Sequence, residues 1–158
     1  MRLTHLMIGT MAASLALTTT ALAAAPDDAI KARKGLMRLY AFNVGLVGDM
    51  AKGKSDYDAQ VAATAADNLL ILSRLDTGAL WPPGSHERNS ELEEKTRALP
   101  AFWEDPEGVR KAGEELGKAL KGLSEAAGNG LPSLRQAMKP VGEGCKGCHK
   151  EFRAEKKK

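Results

Sequence analysis

The sequence predicts an all-α protein, an antiparallel four-helix bundle, on three observations. Apolar residues recur at spacings of three and four in four separate stretches, and no stretch alternates with a period of two. The breaks between the stretches carry helix start and stop signals rather than strand turns. Of the 158 residues, those past the first 25 or so leave on the order of 130, enough for one core and too few for two domains.

The chain opens with Arg2, an apolar run from Leu6 to Leu22 and the exit "ALAAAP". A short basic head, an apolar middle and an Ala-x-Ala exit predict a secretory signal peptide over residues 1–25, ahead of a bundle domain over residues 26–158. No twin-arginine pair is present, so export of an unfolded chain to the periplasm is expected, with any cofactor added there. Once the leader is cleaved, no membrane insertion is expected.

The first helix opens at Asp27–Asp28, read as caps, and places Ile30, Met37, Tyr40, Val44 and Val47 on one face until Gly53 stops it. The second opens at "SDYD", where Ser55 and Asp58 have capping-box spacing, and runs through Val61, Ala65, Leu69 and Leu72. The short link makes these two helices antiparallel neighbours. Between Thr77 and Pro100 the two prolines, the glycine and the scattered charge of "LWPPGSHERNSELEEKTRALP" predict a long loop, with one helical turn near Leu92. Asp105, Pro106 and Glu107 then start a third helix through Val109, Leu116, Leu120 and Leu123, stopped by the glycines of "GNG" at 128–130. The last helix starts at Pro132 and places Leu134, Met138, Val141, Cys145, Cys148 and Phe152 on its buried face.

Charge narrows the partners. The chain has 23 basic and 20 acidic residues, a net +3, and the leader removes one basic residue and no acidic one. Such near-balance argues against nucleic acid, which demands a concentrated basic face. The terminal "EKKK" at 155–158 reads as a solvated helix end, with docking of an acidic partner as a second reading. No paired carboxylates, nucleophile–base set or phosphate loop stands out, so an enzyme is not expected.

The chemistry concentrates in "GCKGCHKEFR" at 144–153, which holds both cysteines of the chain. A redox dithiol wants a strand before the pair and the first thiol exposed at a helix start, and this pair lies inside a helix. A zinc site wants four ligands, and beyond this cluster the domain offers only His86. A buried structural pair would leave His149 a bystander. Cys-x-x-Cys-His is the attachment signature of covalent haem, and on a helix Cys145, Cys148 and His149 stand a turn apart on one side. Two thioether bonds would grip the porphyrin edge while His149 reaches the iron. Gly142, Gly144 and Gly147 are expected to let a flat macrocycle approach the backbone.

"RKGLM" at 33–37, "WPPGS" at 81–85, "PAFWED" at 100–105 and "GCKGCHKEFR", in this order over the whole mature chain, resemble the cytochrome c' family of class II c-type cytochromes. "MAKGKSDYD" at 50–58 is similar to its low-spin branch, the cytochrome c-556 type. The resemblance implies an antiparallel four-helix bundle around one covalent haem c, and a homodimer packed through the first two helices. It implies a distal side chain at Met37. Met1, Met7 and Met11 leave with the leader, Met138 shares a helix with His149, and Met50 lies at the far end of the first helix. Met37 either bonds iron through sulfur, giving a six-coordinate one-electron carrier for periplasmic redox partner proteins, or packs over a five-coordinate iron that binds NO or CO for scavenging or sensing. Its bland alternative is a core side chain. Arg33, one turn before Met37, resembles a propionate partner, and Arg153, one turn past His149, matches an arginine near the proximal imidazole; each is otherwise a solvated surface charge. Trp81, Phe102 and Trp103 are expected to cover the haem or cap the bundle. A cofactor-free four-helix adaptor is the remaining, plainer alternative.

Overall fold

Helix α1 (Pro26–Ala51) begins on a proline whose fixed φ suits the first turn, followed by Asp27 and Asp28 near the positive helix end. The N-cap position is Ala25, which makes no side-chain cap, so the two aspartates act on the helix dipole and do not cap. The helix ends at Lys52, with Gly53 in the left-handed region at φ 71°. The computed structural model describes residues 25–89, 91, 92 and 95–156. The leader expected over residues 1–25 thus lies, Ala25 apart, outside the described residues, as do positions 157 and 158 of the basic tail.

Helix α2 (Ala59–Ser73) is capped by Asp58, whose carboxylate accepts from the Val61 amide at 2.9 Å. Ser55 does not cap it. The Lys54 and Ser55 amides donate to the Asp49 carbonyl, which keeps these residues in the exit turn of α1. After a 3₁₀ turn at Gly78–Leu80 and the one-turn helix α3 (Ala101–Glu104), Asp105 caps α4 (Pro106–Ala126) by accepting from the Gly108 amide at 2.8 Å. Gly130, at φ 101°, turns the chain into α5 (Leu131–Phe152). Near Leu92 the chain makes hydrogen-bonded turns that bury this leucine.

The four long helices close a ring in which α1 packs on α2, α2 on α4, α4 on α5 and α5 on α1. Val47, Leu69, Leu120, Leu123, Leu134 and Val141 fill the centre, all essentially without exposure. On α2, Ala65 and Leu69 are buried as expected, joined by Ala62 and Ala66, whereas Val61 is 40% exposed. Tyr40 and Val44 of α1 pack on the core as expected, as does Leu116 of α4. Gly144 serves the contact between α4 and α5, since a Cβ there would lie 3.4 Å from the Leu116 Cα. Gly142 and Gly147 have open space around the same position.

Leu123 tests this core. Leu123→Ala leaves a cavity among wholly buried neighbours and is expected to cost about 2–5 kcal/mol in denaturant unfolding. A cost below about 1 kcal/mol would contradict a close-packed α4 stripe.

Candidate haem site

The loop before α4 fixes the C-terminal end of α5. The Leu99 amide donates to the Phe152 carbonyl at 3.0 Å, the Ala154 amide to the Arg97 carbonyl at 2.8 Å, and Ala98 and Arg153 form an isolated antiparallel bridge. A carbonyl of the last helical turn thereby gains a partner that the helix cannot supply. Phe152, buried as expected, meets Phe102 edge-on at 6.1 Å between ring centroids. Phe102 stacks on Trp81 at 3.8 Å, and the Trp103 indole donates to the Trp81 carbonyl at 3.1 Å. The three aromatic residues thus form one cluster joining the loop to the end of α5.

Arg33 of α1 reaches into this cluster. Only 4% exposed, it lies over Trp81 at 4.6 Å from the ring centroid. Its guanidinium donates to the Ser85 Oγ at 3.0 Å, the Ser85 carbonyl, and the Thr96 Oγ1 at 2.8 Å. The alternative of a solvated surface charge is therefore excluded for Arg33. Burial pushes its pKa down, and among the described residues no carboxylate lies within ion-pair distance of it. Its full charge is held by neutral oxygens and ring faces, an arrangement that suits an added anionic group. Sequence reading missed Ser85 and Thr96; only the "WPPGS" stretch marked the first of them.

On α5, Cys145 and Cys148 are free and half-buried, with thiol pKa values raised by burial. Cys145 packs on the core cluster. Cys148 borders an open groove of about 920 Å³ between α4 and α5, lined by small residues such as Ala112, Ala119, Gly122, Ala137 and Gly144. His149 is half-buried, and burial, then the Arg153 and Arg97 charges, hold its pKa down. Its imidazole is therefore kept neutral, the form that ligates a metal. Arg153 is exposed at the end of α5.

Tyr40, not singled out from the sequence as a site residue, is pushed up to about 12 by burial and by the Cys145 thiolate. Tyr40 and Cys145 pack against the same core cluster, and Arg33, Met37 and Tyr40 follow one another at helical spacing on α1. Met37 is 43% exposed, whereas Met50 is buried and Met138 packs on the core. The bland reading of Met37 as a core side chain is thus corrected. His86 packs edge-on to Trp103 at 5.8 Å, with its Nδ1 buried and unpartnered. No cluster of three metal-ligating side chains occurs among the described residues.

Two free, half-buried thiols and a half-buried imidazole a turn apart on α5 fit a covalently attached haem. Fold and motif together define a helical-bundle haem c protein. Residues 28–153 match the profile of the family described as Cytochrome C'. The chain is 40% identical over 124 residues to cytochrome c-554 of Cereibacter sphaeroides, covering 78% of this chain and 91% of that protein. Its fold is similar to a cytochrome c' from Rhodobacter sphaeroides, with TM-score 0.79 and 34% identity over 84% of this chain and all of the other. It is also similar to the cytochrome c' of Alcaligenes xylosoxidans in a ferrous variant with bound NO, with TM-score 0.71 and 30% identity over 84% and 98% of the two chains. The chain belongs to the cytochrome c' family. That family binds one covalent haem c, and the two cysteines near the C-terminus of α5 match its attachment motif.

Arg33→Ala strands the Ser85 carbonyl and the Thr96 hydroxyl and is expected to cost about 2–4 kcal/mol in denaturant unfolding. Limited proteolysis should then cut the loop at 82–99 before any helix. A variant as stable as the parent and uncut in this loop would show that the guanidinium does not hold it.

Proposed function

We propose that the protein is a periplasmic one-electron carrier, exported by its leader, with no enzymatic activity of its own. In this reading Cys145 and Cys148 would hold the haem by thioether bonds and His149 would ligate its iron. Met37 would supply a second ligand, Arg33 would face a propionate, and Arg153 would flank the imidazole. The haem iron supplies the one-electron couple, and a thioether ligand raises its potential. The protein's own contribution is placement. Burial and the neighbouring arginines keep His149 neutral, and the buried Arg33 guanidinium offers charge to an anionic edge.

The observation that carries this reading is the position of Met37. It lies one turn before Tyr40, which packs on the same core cluster as Cys145, and of the three methionines in the described residues it is the one the core does not use. The second reading, a five-coordinate iron that binds NO or CO with Met37 packed over it, draws on the NO-bound relative. The purified holoprotein separates the two. Under the carrier reading, its mass exceeds the polypeptide by one haem, the oxidised spectrum has the far-red Met-to-iron charge-transfer band, and Met37→Leu abolishes the band and admits CO. A parent without the band that binds CO readily belongs to the second reading, and a colourless parent of bare polypeptide mass to neither.

The protein is further proposed to pair with a second copy through α1 and α2. They expose Leu39, Phe42, Val61 and Ile71, with Phe42 at 65%, and Leu75 is exposed just past the end of α2. A patch of this kind marks an association surface. Phe42→Glu is expected to weaken the dimer at least about tenfold in sedimentation equilibrium, the scale of one lost apolar anchor. Equal masses for parent and variant would remove this face from the interface.

A further inference from the structure

Outside the residues already assigned, α5 carries a one-sided charge pattern. Arg135, Lys139, Lys146 and Lys150 are all exposed and fall within an arc of about 60° on the helix, beside the face that bears Cys145 and His149, with a single exposed carboxylate, Glu143, at the edge of the arc. From Arg135 to Lys150 this rail runs about 22 Å, comparable to one side of a protein interface of ordinary size. Arg153 extends it past the helix end, and Arg97 joins from the loop across the Ala98–Arg153 bridge. The Arg97 charge is felt at both His149 and Arg153.

Most of these cations form no ion pair among the described residues. Among the described residues the one carboxylate paired with any of them is Glu151, 3.6 Å from Lys150, and both members of that pair are largely exposed. Arg135 is oriented by donating to the Ala51 carbonyl at 2.7 Å, which leans the rail toward the seam between α1 and α5. On α4, by contrast, Arg110 sits between Glu107 and Glu114, and Lys121 faces Glu125. With a near-neutral chain overall, the asymmetry is local to the haem-bearing helix.

We infer that the rail formed by Arg135, Lys139, Lys146, Lys150 and Arg153, with Arg97 beside it, is the docking face for an acidic redox protein that exchanges one electron with the haem. The inference rests on the electron-carrier reading. An anionic membrane is the less suitable occupant. Surface-bound helices insert apolar side chains between their cations, whereas the apolar residues of α5, Leu134, Val141 and Phe152, are buried in the bundle. An acidic protein surface needs only the charges, and attraction between the two speeds encounter and orients the rail toward the partner.

The test uses the holoprotein and fully reduced flavodoxin, an acidic one-electron donor, with hexaammineruthenium(II) as a small cationic donor for comparison. Each donor loses one electron and each ferric haem gains one. Lys146→Glu/Lys150→Glu and, farther from the attachment motif, Lys139→Glu are compared with a control on α4, Lys118→Glu/Lys121→Glu, which changes net charge equally to the first. At low ionic strength the rail double variant should be reduced by flavodoxin at least about tenfold more slowly than the parent, and the control within about twofold of it. The gap should close in about 0.5 M salt. Haem content, spectrum and midpoint potential are measured for each variant, so that Lys139→Glu stands as the test if the double variant loads haem poorly. Equal losses in the rail and control variants, or a loss indifferent to salt, would overturn the docking face. So would sedimentation of the parent, but not the rail variant, with phosphatidylglycerol vesicles while the flavodoxin rates stay alike. Failure of hexaammineruthenium(II) to reduce the parent reversibly would instead remove the electron-carrier reading beneath it.

Discussion

A buried guanidinium with no carboxylate beside it among the described residues organises this end of the bundle. Taking Arg33 out of water carries a large desolvation cost, offset only if its donors are matched and its planar faces covered. Ser85 and Thr96 supply the oxygens, and Trp81 covers one face. Because these partners come from a loop far along the chain, satisfying one side chain of α1 fixes the path of the segment between α2 and α4. That segment then holds α5: the residues just after Thr96 pair with the end of α5. One charge thus ties the first helix to the last through a loop that has little regular structure of its own.

The packing of the helices explains why the chemistry falls on one side of the ring. Helix α2 meets its neighbours through Ala62, Ala65 and Ala66, and α5 approaches α4 at Gly144. Small side chains allow close helix contact and leave little room between these elements. The large and polar side chains, Arg33, Met37 and Tyr40, are gathered on α1. Opposite them, Cys145 joins the core and His149 stays half-buried, so the thiols and the imidazole sit where solvent is reduced but not absent.

Legibility in the sequence followed the range of the interactions. Helix existence, the Asp105 cap, the Gly53 stop and the spacing of Cys145, Cys148 and His149 depend on neighbours within a turn or two, and these agree with the structure. The Ser55 cap failed because the Asp49 carbonyl, from the preceding helix, takes the adjacent amides. Val61 was misplaced since α2 is so rich in alanine that its apolar period barely distinguishes one face from the next. Arg33 was ambiguous because burial of a charge is decided by Ser85 and Thr96, more than fifty positions away. Tyr40 and Arg97 were missed for the same reason: nothing local marks a tyrosine or an arginine as facing a thiol or an imidazole on another helix.

In the proposed haem arrangement, whether the Met37 sulfur would bond iron is a question about the loop as much as about the methionine. Met37 lies one turn from Arg33, so the hold of Ser85 and Thr96 on the guanidinium bears on where this part of α1 sits. The same loop positions the other end of that distance by pairing with Phe152 and Ala154. A shift of a few tenths of an ångström in the aromatic cluster would be transmitted to both sides at once, because Trp81 touches Arg33 and Phe102 touches Phe152.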